Sequence, residues 1–147
     1  MSKENYTGRE LDYYELSLLQ YLQEYHPEKA HDLNFIKLRA DSAAEVYEQS
    51  RLEGYDISGA QELAMAELIR DLHFSKYYMV LNIIESEFRN EIPEDKKMAL
   101  VKEMSSRLDS IFSRYKLWDE FEQTPEYNSL YNEITGEITL YLENYGI

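Results

Sequence analysis

The chain has no cysteine, which excludes disulfides, thiolate chemistry and cysteine-ligated zinc or iron–sulfur centres. Glycine and proline are scarce, at five and three residues, and none of the glycines forms a phosphate-cradling loop. Nowhere do about 18 apolar residues run together, the length that begins to suggest a membrane span. Met1 to Arg9 is polar rather than a basic segment leading into an apolar signal core. A cytoplasmic protein without a membrane partner is therefore expected. Basic residues are few as well: fifteen Lys and Arg stand against 29 Asp and Glu, a net charge of -14 at pH 7. Such a surface repels phosphate and opposes the counterion release that drives nucleic-acid binding, so direct binding to DNA, RNA or anionic lipid is disfavoured.

What is present is enough apolar material for a core. Hydrophobic residues make up 44% of 147 residues and charged residues 30%, a globular composition that should bury about 70% of the unfolded chain's surface in one domain. The most continuously apolar stretch runs from His73 to Phe88. Tyr77, Leu81, Ile84 and Phe88 recur there at helical spacing, and Val80 and Ile83 widen the stripe, leaving Asn82, Glu85, Ser86 and Arg89 as a polar edge. A helix of about 76–90 is expected to be the central one.

Taken in order, residues 1–9 read as a flexible polar arm before a helical domain over 10–147. Thr7 with Glu10, or Asp12 with Glu15, fits the capping box that opens a first helix, and Pro27 closes it. Asp32 caps a second helix ending at Gly54. Its inner face carries Ala40, Ala43 and Ala44, small enough to let another helix approach closely. Arg39 beside that face either snorkels to solvent or pairs with a carboxylate. Ser58 to Gln61 reads as another capping box, followed by the stripe Met65, Leu68, Ile69 and Leu72. The five residues from Leu72 to Tyr77, at about 100° each, turn the apolar face by roughly 140°. A break at His73-Phe74-Ser75, with Ser75 capping the next segment, accommodates that turn. Pro93 suits the first turn of a helix bearing Val101, Met104, Leu108, Ile111 and Tyr115. Lys116 to Gln123 reads as a loop around Trp118, the only tryptophan, and Thr124-Pro125-Glu126 starts the last helix. Gly136 inside that helix marks a close helix contact or a kink.

No constellation carries recognisable chemistry. Glu28-x-x-His31 has the spacing of half a di-metal carboxylate site, but no second copy exists and it falls in a polar connection. His73 beside Phe74 suits a hydrogen-bonded structural histidine better than a catalytic base. Ser75 lacks a G-x-S-x-G elbow, and helix capping explains it. No catalytic residue, metal ligand or cofactor site is assigned. The unusual feature is fourteen tyrosines, whose apolar ring and polar tip suit half-buried packing and interface anchoring. Tyr13, Tyr55, Tyr78 and Tyr145 are the ones expected at the surface. Leu117 to Ile147 holds seven acidic residues and no Lys or Arg, either solvated helix faces or a binding face.

Tyr14 to Leu22, Ala60 to Met65, Leu72-His73-Phe74-Ser75-Lys76-Tyr77 and Thr124-Pro125-Glu126-Tyr127 together resemble the family known as domain of unknown function 1896, from about Glu10 to Gly146. The resemblance implies a small, acidic, predominantly helical protein of anaerobic gut or oral bacteria, associated with conjugative elements, and transfers no activity.

The expected fold is all-α: a single-domain irregular bundle of about six helices around the 76–90 helix. The expected role is a non-enzymatic accessory or protein–protein interaction protein, binding another protein or itself as a homodimer. Its candidate surface comprises Tyr13, Tyr55, Tyr78, Trp118, Asp119, Glu120, Glu122, Glu126 and Tyr145. The alternative is an acidic nucleic-acid-mimicking decoy for a basic DNA-handling enzyme, read on Asp119, Glu120, Glu122, Glu126, Glu133 and Glu137.

Overall fold

Helix-start and helix-stop residues account for most of the architecture. A computed structural model of the chain describes residues 12–146, so the expected arm and the Thr7–Glu10 cap lie outside the described residues. Among the described residues every regular element is helical, seven α-helices and three short 3-10 turns. The all-α expectation holds. The helices group into two compact units that divide between Arg70 and Asp71.

The first unit contains α1 (Tyr13–Tyr25), α2 (Leu33–Leu52) and α3 (Ile57–Leu68). The capping box at Asp12 and Glu15 is formed, with Asp12 accepting from the Glu15 amide at 2.8 Å and Glu15 reaching back to the Asp12 amide. His26, before Pro27, ends α1. Asp32 accepts the Phe35 amide at the start of α2. α2 packs most extensively against α3, where Ala40, Ala43, Ala60 and Ala64 are all essentially inaccessible. With no bulk beyond Cβ on either face, two helix backbones can approach closely.

Two expectations in this unit are corrected. α3 begins at Asp56, whose carboxylate accepts the Gly59 amide at 2.7 Å, rather than at Ser58; an ionised acceptor is the stronger cap for a helix's positive end. Arg39 does more than snorkel or meet a carboxylate, the two expected alternatives. Its guanidinium donates to the carbonyl oxygens of Glu67, Leu68 and Arg70 at 3.4, 3.1 and 2.7 Å, closing the end of α3, and lies 5.0 Å from the Phe35 ring centre.

The second unit contains α4 (Lys76–Glu87), α5 (Lys97–Arg107), α6 (Asp109–Phe112) and α7 (Pro125–Tyr145). α4 supplies the middle of its core: Met79, Val80, Ile83 and Ile84 are buried against Val101, Met104, Leu108, Leu130, Ile134 and Ile138. The buried face is rotated from the expected one, so Tyr77 and Leu81 flank it and Met79 takes the interior.

The helix expected from Pro93 instead opens with a 3-10 turn, Glu94–Lys96, and its α-helical part starts at Lys97. It also breaks at Leu108, whose carbonyl oxygen accepts both the Ile111 and Phe112 amides at 3.0 Å. Thr124 does not cap α7. Its hydroxyl turns back and donates to the Phe121 carbonyl at 2.7 Å, while Pro125 at the first position has no N–H to satisfy. α7 continues through Gly136, where an added Cβ would meet nothing within 4 Å. The expected close contact at Gly136 is absent within the described chain.

Candidate functional site

The break expected at His73-Phe74-Ser75 is present but opens earlier, since α3 ends at Leu68 and leaves Ile69 and Leu72 outside the helix, and a side chain from far along the sequence holds the lead-in to α4. Asp71 adopts a left-handed conformation with φ of 66°, uncommon for a residue other than glycine. The chain then turns through buried Leu72 to Ser75, whose hydroxyl oxygen accepts the Tyr78 amide at 2.8 Å to start α4. Asp119 closes this corner. One carboxylate oxygen accepts the Asp71 amide at 3.0 Å and faces the His73 Nδ1 at 2.9 Å; the other accepts the His73 amide at 3.1 Å. Burial alone pushes the Asp119 carboxyl up, but the His73 side chain and the two backbone amides outweigh it and hold it below its ordinary value.

The loop that carries Asp119 is fixed from beneath. Phe121 is buried and meets Phe74 edge to face at 5.2 Å, with Tyr115 and Tyr127 each at 6.1 Å. Trp118, next to the clamped Asp119, remains 47% exposed. Glu120, Glu122 and Glu126 are exposed around it in the chain. Lower on α7, Glu133 accepts from the Tyr115 hydroxyl and from Arg114. The bond to Glu133 is the first cause of a raised Tyr115 pKa. Tyr131, partly buried and donating to Glu87 at 2.7 Å, is pushed up to about 12.

Comparison with known proteins gives these residues a family. The sequence model described as Domain of unknown function (DUF1896) matches residues 6–147. The chain belongs to that family. This DUF1896 chain is also similar to protein PG0816 from Porphyromonas gingivalis, whose crystal structure shares 34% identity with a TM-score of 0.86, over 90% of this chain and 91% of that one. No protein with curated function matches it.

Of the surface residues singled out in this DUF1896 sequence, Tyr13 and Tyr55 are exposed in the first unit, and Tyr78, Trp118 and Tyr145 in the second. Tyr145 stacks near Tyr141 at 5.0 Å, with Arg107 5.1 Å from its ring centre. Asp119 is corrected from a free surface acid to the corner's clamp, and Glu133 likewise has an internal role. Their partners lie 46 and 18 residues away, and no local spacing rule reaches that far. His73 meets Asp119 through both its ring Nδ1 and its backbone amide. Glu28 faces His26 at 3.7 Å, and among the described residues no three His, Asp or Glu side chains are placed to hold a metal. No described helix is long and apolar enough to cross a membrane.

Proposed function

We propose that this protein is a non-enzymatic, cytoplasmic interaction protein of a bacterial system, and that it recognises its partner through the 117–126 loop of the second unit. The carrying observation is an exposed tryptophan next to a residue clamped by three hydrogen bonds. Tryptophan is among the residues that dominate interface energies, and holding its backbone in place beforehand reduces the ordering cost of binding. The exposed carboxylates of Glu120, Glu122 and Glu126 then favour a partner with an apolar pocket rimmed by Lys and Arg. The test is capture from an extract of the producing organism at low and high salt. Trp118→Ala should abolish capture of a specific partner at both salts, and Glu120→Lys with Glu122→Lys should weaken it most at low salt. Equal capture by all variants would refute the assignment.

The decoy reading draws on one further observation. Glu120, Glu122, Glu126, Glu137 and Glu143 are exposed in a stretch without Lys or Arg. At 1.5 Å per residue, however, the acids of α7 follow an uneven rise, and Glu133 within that line is taken by Arg114 and Tyr115. A decoy would compete with DNA for a basic enzyme in a salt-sensitive way; competition lost on reversing Glu120, Glu122, Glu126 and Glu137 would favour it over the tryptophan-centred surface.

A further inference from the structure

Where α4 gives way to the connection before α5, the chain leaves a cleft of about 350 Å³, near the lower end of the range for small-ligand sites. Backbone bonds fix its wall. The Phe88 carbonyl oxygen accepts the Glu91 and Ile92 amides at 3.1 and 3.2 Å, which folds the connection back beside the end of the helix. Ile84, Phe88 and Ile92, all buried, give the cleft an apolar floor. The charged groups around that floor are not equivalent. Lys97 is neutralised from two sides, by Glu85 at 2.8 Å and by Glu94 at 2.6 Å. Arg89 is exposed, and alone among the described arginines its guanidinium has no hydrogen bond, ion pair or ring contact. Glu85 precedes it by four residues, but α4 ends at Glu87 and the Glu85 carboxylate faces Lys97 instead. In a chain with 29 acids to fifteen bases, one guanidinium is thus left open at the edge of an apolar cleft.

We propose that this cleft binds a small monocarboxylic acid with an apolar body, the carboxylate on Arg89 and the body over Ile84, Phe88 and Ile92. A guanidinium receives a carboxylate through two parallel N–H donors, a geometry that holds the ligand's orientation as well as its charge. The surrounding charge selects for a single negative group. Arg89 and Lys97 against Glu85 and Glu94 leave the cleft neutral, so a carboxylate meets one open cation, whereas a doubly charged phosphate would face two carboxylates in a chain of -14. An amine would find both carboxylates already turned to Lys97. The cleft shares no residue with the tryptophan loop, and either assignment can fail alone.

Titration of the full chain with 3-phenylpropionate, followed through the backbone amide shifts in NMR, tests the site. Saturable shifts centred on residues 84–97 are expected, with a dissociation constant on the order of 1 mM for a ligand of this size. Arg89→Gln should weaken binding roughly five- to tenfold, with helical circular dichroism unchanged because the side chain is exposed and unpaired. The neutral analogue 3-phenylpropionamide should lose a similar factor, and acetate, which has the charge without the body, should not saturate. Lys116→Gln removes the same charge from an exposed position outside the cleft, and should leave binding unchanged. No saturable shift with 3-phenylpropionate, amide binding equal to that of the acid, or equal losses in Arg89→Gln and Lys116→Gln would each overturn the proposal.

Discussion

Asp119 does the most for its size. One carboxylate satisfies two backbone amides and a histidine at a corner containing a strained residue, Asp71. Removing its charge should cost about 1–2 kcal/mol, the range for a charge-assisted bond against its neutral counterpart, so Asp119→Asn should lower the urea midpoint accordingly. The pH dependence has a definite sign. A carboxyl held below its ordinary value in the native state contributes stability above the unfolded value, about 3.9, and loses it as pH falls through the native value. Wild-type stability should therefore fall below about pH 4, and Asp119→Asn should show a shallower acid limb. The corner itself was legible, because Leu72 and Tyr77 cannot share a face and Ser75 is a cap. The clamp was not, since an aspartate beside a tryptophan in an acidic loop looks the same whether it faces solvent or an amide 46 residues away.

At the level of elements, local chemistry predicted a boundary where the group that sets it lies close by in the chain. Asp12, Asp32 and Ser75 cap where their spacing says they should, because an N-cap needs only a side chain and an amide three residues on. The end of α3 needed Arg39 from another helix, which no local pattern encodes. Arg39→Met retains the aliphatic stem and removes the donors to three carbonyls, and should cost about 1–2 kcal/mol, with faster amide exchange confined to the last turn of α3. The end of α2 is fully local. Gly54 has φ of 102°, the Gly54 amide bonds to Arg51 and the Tyr55 amide to Ser50, the double bond pattern of a Schellman stop. Gly54→Ala meets no steric neighbour, so its cost is that of the backbone conformation alone, about 1–2 kcal/mol, measurable by denaturant titration. The break at Leu108 escaped the sequence because Val101, Met104, Leu108 and Ile111 are buried on either side of it, leaving the apolar period intact.

For the molecule as a whole, composition gave an acidic, tyrosine-rich globular protein and periodicity made it helical, but neither showed its organisation into two compact units, since each unit has its own helical stripes. Tyrosine gives the chain an alkaline limit. Tyr131 is pushed up to about 12 by burial and by its bond to Glu87, and Tyr127 is raised chiefly by burial. Between the ordinary value of about 10 and the native one, the folded state holds protons that the unfolded state has lost, so stability must fall as pH rises. Tyr131→Phe should flatten that fall, as followed by tyrosinate absorbance with circular dichroism. The central claim is that the clamped corner holds an interaction anchor ready at the surface, and the single tryptophan reports on it directly. Time-resolved fluorescence anisotropy of Trp118 should show a fast local component that grows markedly in Asp119→Asn while global tumbling is unchanged; an equal fast component in both proteins would contradict it.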